Sequence, residues 1–304
     1  MAAGVVNPAS WRDERATSGA TNGGAGDGRA AGARRPGVLV YALLVGVVAA
    51  SAFPLYWSFV VSSSDSSAIG EASPPLIPGG YLLDNVRRVF DTVDFWLALQ
   101  NSLIVSGTVT LSNVVLSSLA GFAFARLRFP GRNSLFLVVI GTVMVPAQLG
   151  VIPLYMVVGE LGWYGRLEAV IVPGLINAFA VFWMRQACEE AVPTELVDAA
   201  RVDGCSLWAV FWHVAVPAIR PQAAVLGMVT FMAAWNDFFW PLIVLDPNES
   251  LTVQVALSRL ASGYFLDYSL MLTGATLGVL PVIIVFIVLA RQIVNGITRV
   301  SVNG

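Results

Sequence analysis

The chain contains no lysine, and all 17 of its basic residues are arginine. A phosphate-binding loop of the GxxxxGK form followed by Ser or Thr needs that lysine at the nucleotide phosphates, so none is encoded and any ATP-driven work must draw on another subunit. Histidine is nearly missing as well. His213 stands alone, which excludes a histidine-rich metal site. The two cysteines, Cys188 and Cys205, have no metal-ligand spacing. Charge of either sign is scarce, at 12% of residues, against about 25% in soluble domains. With a net charge of −2 and dispersed arginines, nucleic acid is not an expected partner. What fills the space is apolar: 57% of the residues are hydrophobic and the mean hydropathy is +0.75. The lack of lysine beside abundant Ala, Gly and Val also fits a GC-rich bacterial genome, by codon usage rather than by physics.

Six runs approach the roughly 20 residues that a helix needs to cross a hydrocarbon core. They lie near Val38 to Val61, Leu97 to Phe124, Leu135 to Val158, Leu167 to Met184, Ala223 to Leu245 and Leu270 to Leu289. Backbone groups facing lipid must bond within their own segment, so the fold class is all-α, a polytopic bundle of six transmembrane helices. An even number of spans puts both termini on one side. Arg87, Arg88, Arg166 and Arg259 then fall on the opposite side and the other 13 arginines on the side of the termini, which the positive-inside rule makes cytoplasmic. Residues 1–36 are rich in Gly, Ala, Ser and Arg without apolar periodicity and read as a disordered cytoplasmic tail, leaving 37–304 as the transmembrane domain. Ala50-Ser51-Ala52 resembles a leader-cleavage site, yet the apolar run continues to Val61, and we read an uncleaved anchor.

One polar stretch interrupts this pattern between the fourth and fifth runs: Val192 to Pro221, reading VPTELVDAARVDGCSLWAVFWHVAVPAIRP. It predicts two short helices around a glycine. Thr194 is positioned to cap the first, with Glu195 and Asp198 in its opening turns. Leu196, Ala199, Ala200 and Asp203 share a face, and Gly204 is able to adopt the positive φ that stops the helix. Ser206 is positioned to cap the second helix. There Leu207, Val210, Phe211 and Val214 form a stripe, Pro217 is expected to end the run, and Pro221 to open the next span. The two cysteines lie near or in this elbow, on the reducing side of the membrane, where a disulfide is disfavoured. His213 is either a pH-sensing group or a polar residue on the elbow's outer face.

Two further clusters stand out inside the spans. Trp235-Asn236-Asp237-Phe238-Phe239-Trp240-Pro241 holds Asp237, the only acid well within a run, at a cost of about 2.5–3.5 kcal/mol on insertion scales. Aromatic faces with amide and carboxylate groups suit carbohydrate. The same residues also suit interface anchoring and helix packing. In the third run Pro146 and Pro153 remove two ladder donors around Gln148 and Gly150, so a kinked or partly opened helix is expected, the kind that lines a cavity in transporters or bends a purely structural span. Asn101, Asn113, Asn177 and Gln186 are weaker candidates, since single amides often join helices.

Asp198-Ala199-Ala200, Gly204 after an intervening triplet, and Val216-Pro217 beyond it resemble the EAA loop of importer permeases in the ATP-binding cassette (ABC) family. Asp203 before the glycine is as sugar importers have it. Asp198 departs from the family's usual Glu. Ile152-Pro153-Leu154-Tyr155, Leu161-Gly162-Trp163, Trp183-Met184-Arg185-Gln186, Trp235-Asn236-Asp237 and Gln292-Ile293-Val294-Asn295-Gly296 are similar to the carbohydrate branch, specifically the maltose-type second permease. The tail Arg299 to Gly304 lacks the lysine many relatives carry.

The resemblance implies a non-enzymatic bacterial inner-membrane permease, half of a sugar or oligosaccharide path. It implies as partners a second permease, an ATPase dimer holding ATP and Mg, and an extracytoplasmic binding protein, with no cofactor on this chain. The coupling loop, about 188–221, would act through Glu195, Asp198, Ala199, Ala200, Asp203, Gly204 and Pro217, with Trp235, Asn236, Asp237 and Gln148 as the substrate-path set. A polyol or glycerol-phosphate permease of the same fold, and a non-transport membrane protein, are the alternatives.

Overall fold

The computed structural model describes residues 37–67, 75–246, 248–262 and 266–302, with side chains as far as residue 288. The tail assigned to residues 1–36 and the side chains of Gln292 to Gly304 lie outside that description. Among the described residues all regular structure is helical. In chain order the helices are α1 (Val38–Ser62), α2 (Leu82–Thr92), α3 (Phe95–Arg126), α4 (Arg132–Val143), α5 (Val151–Glu160), α6 (Glu168–Gly174), α7 (Ala178–Ala191), α8 (Thr194–Val202), α9 (Leu207–Val210), α10 (Val216–Trp235), α11 (Phe239–Val244), α12 (Val253–Leu260) and α13 (Tyr268–Val302). A 3-10 turn, Ala147–Gly150, joins α4 to α5, and a π turn, Phe211–Ala215, joins α9 to α10.

Five stretches are long and apolar enough to cross a membrane: Val38–Ser62, Phe95–Arg126, Glu168–Ala191, Leu207–Trp235 and Tyr268–Val288. The sixth expected span is the pair Arg132–Val143 and Ala147–Glu160, bent by 91°. The kink expected at the prolines is therefore present. It is a right-angle break, because Pro146 (φ −59, ψ 126) holds an extended conformation that no helix can propagate. The chain divides into one unit ending at Ser51 and another beginning at Ala52, and α1 crosses that boundary.

Within the second unit α3 is the central mast. Asp94 accepts the Leu97 amide at 3.0 Å and starts it. Its 32 residues amount to about 48 Å at 1.5 Å per residue, more than a hydrocarbon core requires. It packs on α7 and α10. Gly121 makes the α3–α7 approach possible: a Cβ there would fall 2.6 Å from the Arg185 backbone nitrogen, so any larger residue drives the helices apart. At the starting end of α3, Val89, Phe95, Phe231, Trp235, Val253 and Leu260 join α2, α10 and α12 to α13. At its far end Phe122, Met184, Cys188, Val197, Val210 and Phe211 join α7 to the elbow. The elbow and the α2/α12 layer thus occupy opposite ends of one long helix.

The fifth span differs from expectation at both ends. Pro217 does not end the elbow's second helix. That helix runs from Leu207 to Trp235 as one element, because the π turn at Phe211–Ala215 widens the ladder just before Pro217 and brings it to the start of α10, where its missing N–H and its ring are tolerated. At the other end the helix stops at Trp235, short of the expected Leu245.

Candidate functional site

The elbow is built locally from its own sequence. α8 ends in a Schellman arrangement: Gly204 lies at φ 83, its amide reaches the Arg201 carbonyl at 3.1 Å, and the Cys205 amide reaches the Ala200 carbonyl at 3.0 Å. Ser206 Oγ then accepts the Ala209 amide at 3.2 Å and starts α9, as its position predicts. Thr194 does not cap α8. Pro193 takes the cap position without a side-chain bond, Thr194 is already helical, and its Oγ1 instead accepts from Arg126. The inward face also differs. Val197 is 3% exposed and Ala200 half-buried, whereas Leu196 is 49% exposed. On the second segment Val210 and Phe211 are buried as the stripe predicts.

The inward face seats the elbow firmly. Val192, Val197, Val210 and Phe211 belong to the same apolar cluster as Phe122, Met184 and Ile219, with the Phe122 and Phe211 rings 5.6 Å apart. The outward face is open. Glu195, Asp198, Ala199, Asp203 and Gly204 are exposed, along with Val202, Leu207 and Trp208. Among the described residues none forms an ion pair with Glu195, Asp198 or Asp203. Pro217 is exposed at the start of α10, and His213 lies on the outer face with its Nδ1 3.0 Å from the Ala209 carbonyl oxygen. An acidic and apolar surface carried on a seat of packed aromatics is suited to transmitting a push between a partner and the bundle.

The second feature is a cavity of about 760 Å³ between α3, α7 and α10, within the roughly 300–1,000 Å³ usual for small-molecule sites. Three broken helices open onto it. Thr142, Val145 and Ala147 come from the α4 break, Gly174 and Asn177 from the gap between α6 and α7, and Asp237 from the gap between α10 and α11. Backbone released from helical bonding at membrane depth needs other partners. At the α6–α7 gap Asn113 supplies them: fully buried on α3, it donates to the carbonyls of Gly174 and, at 3.1 Å, Val109, and accepts the Asn177 amide at 3.1 Å. Asn177 in turn caps α7 through the Ala180 amide at 2.7 Å.

The substrate-path set is split by this geometry. Asp237 lines the cavity, half-buried, and lies between two helices rather than within one. Trp235 is 2% exposed and donates to the Gly278 carbonyl at 3.2 Å, which makes it a packing residue between α10 and α13. Asn236 is exposed and accepts from Gln254 at 3.2 Å. Gln148 is exposed in the 3-10 turn and does not line the cavity, although its neighbour Ala147 does. Of the weaker amides, Asn113 and Asn177 line the cavity, Asn101 bonds the Leu251 carbonyl at 3.0 Å, and Gln186 is exposed. Thr142 and Thr230 were not legible as lining residues, since hydroxyls are common in apolar helices. An Asn in capping position inside an apolar run, Asn177-Ala178-Phe179-Ala180, was a readable sign of the α6–α7 break.

A bundle of broken and continuous membrane helices with a polar elbow at one end defines a class, and comparison with known proteins agrees. Residues 113–299 match the family of the binding-protein-dependent transport system inner membrane component, and the chain belongs to that family. It is 35% identical to the lactose transport system permease protein LacG of Rhizobium radiobacter over 86% of this chain and 95% of that one. It is 32% identical to the arabinooligosaccharides transport system permease protein AraQ of Halalkalibacterium halodurans, over 83% and 91%. It is 30% identical to the sn-glycerol-3-phosphate transport system permease protein UgpE of Escherichia coli, over 86% and 97%. In fold it resembles a chain of the crystal structure of a bacterial ABC transporter involved in the import of the acidic polysaccharide alginate, with a TM-score of 0.72, 22% identity, and coverage of 83% of this chain and 95% of that one. The chain is a multi-pass inner-membrane permease of an ABC importer.

Proposed function

We propose that this permease forms half of the membrane path for a sugar or oligosaccharide, with a second related permease as the other half. A solute-binding protein outside the membrane delivers the sugar, and an ATPase dimer holding ATP and Mg docks on the elbow between Val192 and Pro221. Both termini and the elbow face the cytoplasm. The observation that carries the proposal is the elbow itself, with an exposed face around Glu195, Asp198 and Asp203 and an apolar underside locked to α3, α7 and α10. Motion of the docked ATPase pair is passed on by this rigid seat, and the bundle moves between two packings that open the cavity to one side and then the other. Carbohydrate is favoured by the lactose and arabinooligosaccharide relatives and by a cavity lined with amides and hydroxyls.

The sn-glycerol-3-phosphate relative supports a second reading, a polyol-phosphate substrate for the same machinery. The test is ATP hydrolysis and uptake by the purified assembly in proteoliposomes with its binding protein. Stimulation by oligosaccharides is expected. Stimulation by glycerol phosphate alone would favour the second reading, and no copurifying ATPase would overturn both.

A further inference from the structure

Resting on the importer reading above, we infer that the cavity selects uncharged polyhydroxylated solutes and excludes anionic ones. The lining contains one ionisable residue, the acid Asp237, and no basic residue. An anion held at membrane depth needs a cation or a cluster of free donors, because burying an uncompensated charge is costly. Neither is present in the lining. Arg87, Arg88, Arg166 and Arg185 are paired with Asp84, Asp267, Glu168 and Glu189, and Arg126 is engaged by the Cys188 and Glu189 carbonyls, all away from the lining.

Helix N-termini are the other usual source of anion affinity, and that of α7 opens here. It is already answered by a side-chain oxygen. Asn177 Oδ1 caps α7 through the Ala180 amide, and the Asp237 carboxylate lines the cavity at the gap before α11. A negative solute would meet a capped helix end and a carboxylate. A neutral sugar meets different chemistry: Asn177 Nδ2 and the Thr230 hydroxyl make no hydrogen bond to any described residue and line the cavity beside the accepting carboxylate. Sugar hydroxyls donate and accept in turn, and bond such groups without carrying charge into the membrane.

The membrane path is isolated from the binding protein's own selectivity by measuring equilibrium binding to the complete transporter in nanodiscs with no binding protein added. The probes are tritiated lactose, arabinotriose, sn-glycerol 3-phosphate and digalacturonate. We expect a neutral oligosaccharide to bind and both anions to bind about tenfold or more weakly. Asp237→Asn, which removes the one acid, is expected to narrow that gap. Digalacturonate binding as tightly as the neutral sugars, or an unchanged ratio in Asp237→Asn, would overturn the charge inference and leave carbohydrate import standing. Binding of sn-glycerol 3-phosphate alone, or of none of the four, would remove the carbohydrate reading beneath it.

Discussion

Arg126, the last residue of α3, donates from Nη1 to Thr194 Oγ1 at 3.1 Å, where Thr194 is the first residue of α8. Its Nη2 reaches the Cys188 and Glu189 carbonyls at 3.0 and 2.8 Å, in the last turn of α7. A cation there satisfies the Glu189 carbonyl, whose helical partner would be the missing N–H of Pro193, and shares the Cys188 carbonyl with the Val192 amide. One guanidinium thereby sets the angle between the mast, the adjacent span and the elbow.

Arg126→Met should therefore loosen the elbow without unfolding the bundle. Hydrogen bonds to a charged group contribute about 1.5–3 kcal/mol each. We expect normal membrane abundance with loss of sugar-stimulated ATP hydrolysis, and partial recovery in Arg126→Lys, which keeps the charge but not the fork. Full activity in Arg126→Met would show that the elbow is held by packing alone.

Gly204 at φ 83 has open space around an added Cβ, so the penalty of substitution is conformational rather than steric crowding. Gly204→Val should strain the turn, at about 1–3 kcal/mol for a non-glycine residue in this region, and abolish uptake at normal abundance. Gly204→Asn, which tolerates positive φ, should retain most of it. Equal uptake in all three proteins would remove the turn from the coupling element.

Asp198→Lys reverses a charge on the exposed face and should weaken docking of the ATPase, measured by copurification at low salt. Because Asp198 contacts no described cation, bundle stability should be unaffected. Undiminished copurification and uptake would move the docking surface elsewhere.

Cys205 is exposed and Cys188 buried. An impermeant thiol reagent should label Cys205 in inside-out vesicles and spare it in intact cells, while Cys188 reacts only after denaturation. Both cysteines lie near or in the elbow, yet Cys188 is shielded by its packing in the cluster with Val192 and Val197. Labelling of Cys205 in intact cells would invert the topology.

Asn113→Ala should release the α6–α7 break, since Gly174 and Asn177 lose their partner at once. We expect reduced uptake with a raised apparent KM, the sign of a disturbed cavity, whereas Trp235→Phe, which loses only its bond to Gly278, should lower thermal stability by about 1 kcal/mol at unchanged KM. Equal KM in both would make Asn113 a packing residue as well.

Much of this protein was determined by sequence alone because the relevant physics is local. Apolar runs of membrane length, a glycine that turns Ala200 into Cys205, a serine that caps α9 and a proline pair that breaks the third span each act within a few residues. Which groups meet across the bundle was decided by tertiary structure. Trp235, Asn236 and Asp237 are adjacent in the chain, yet one is buried against Gly278, one is exposed beside Gln254, and one faces the cavity. Successive residues at a helix end point in directions set by where the helix stops, and α10 stops at Trp235, whose indole is bonded to Gly278 of α13. In the same way Thr194 lost its capping role to Arg126, 68 residues away, and Pro217 lost its power to end a helix because a π turn was built ahead of it. Hydrogen bonds and burial between distant segments have no period in the sequence, and only the folded chain brings them together.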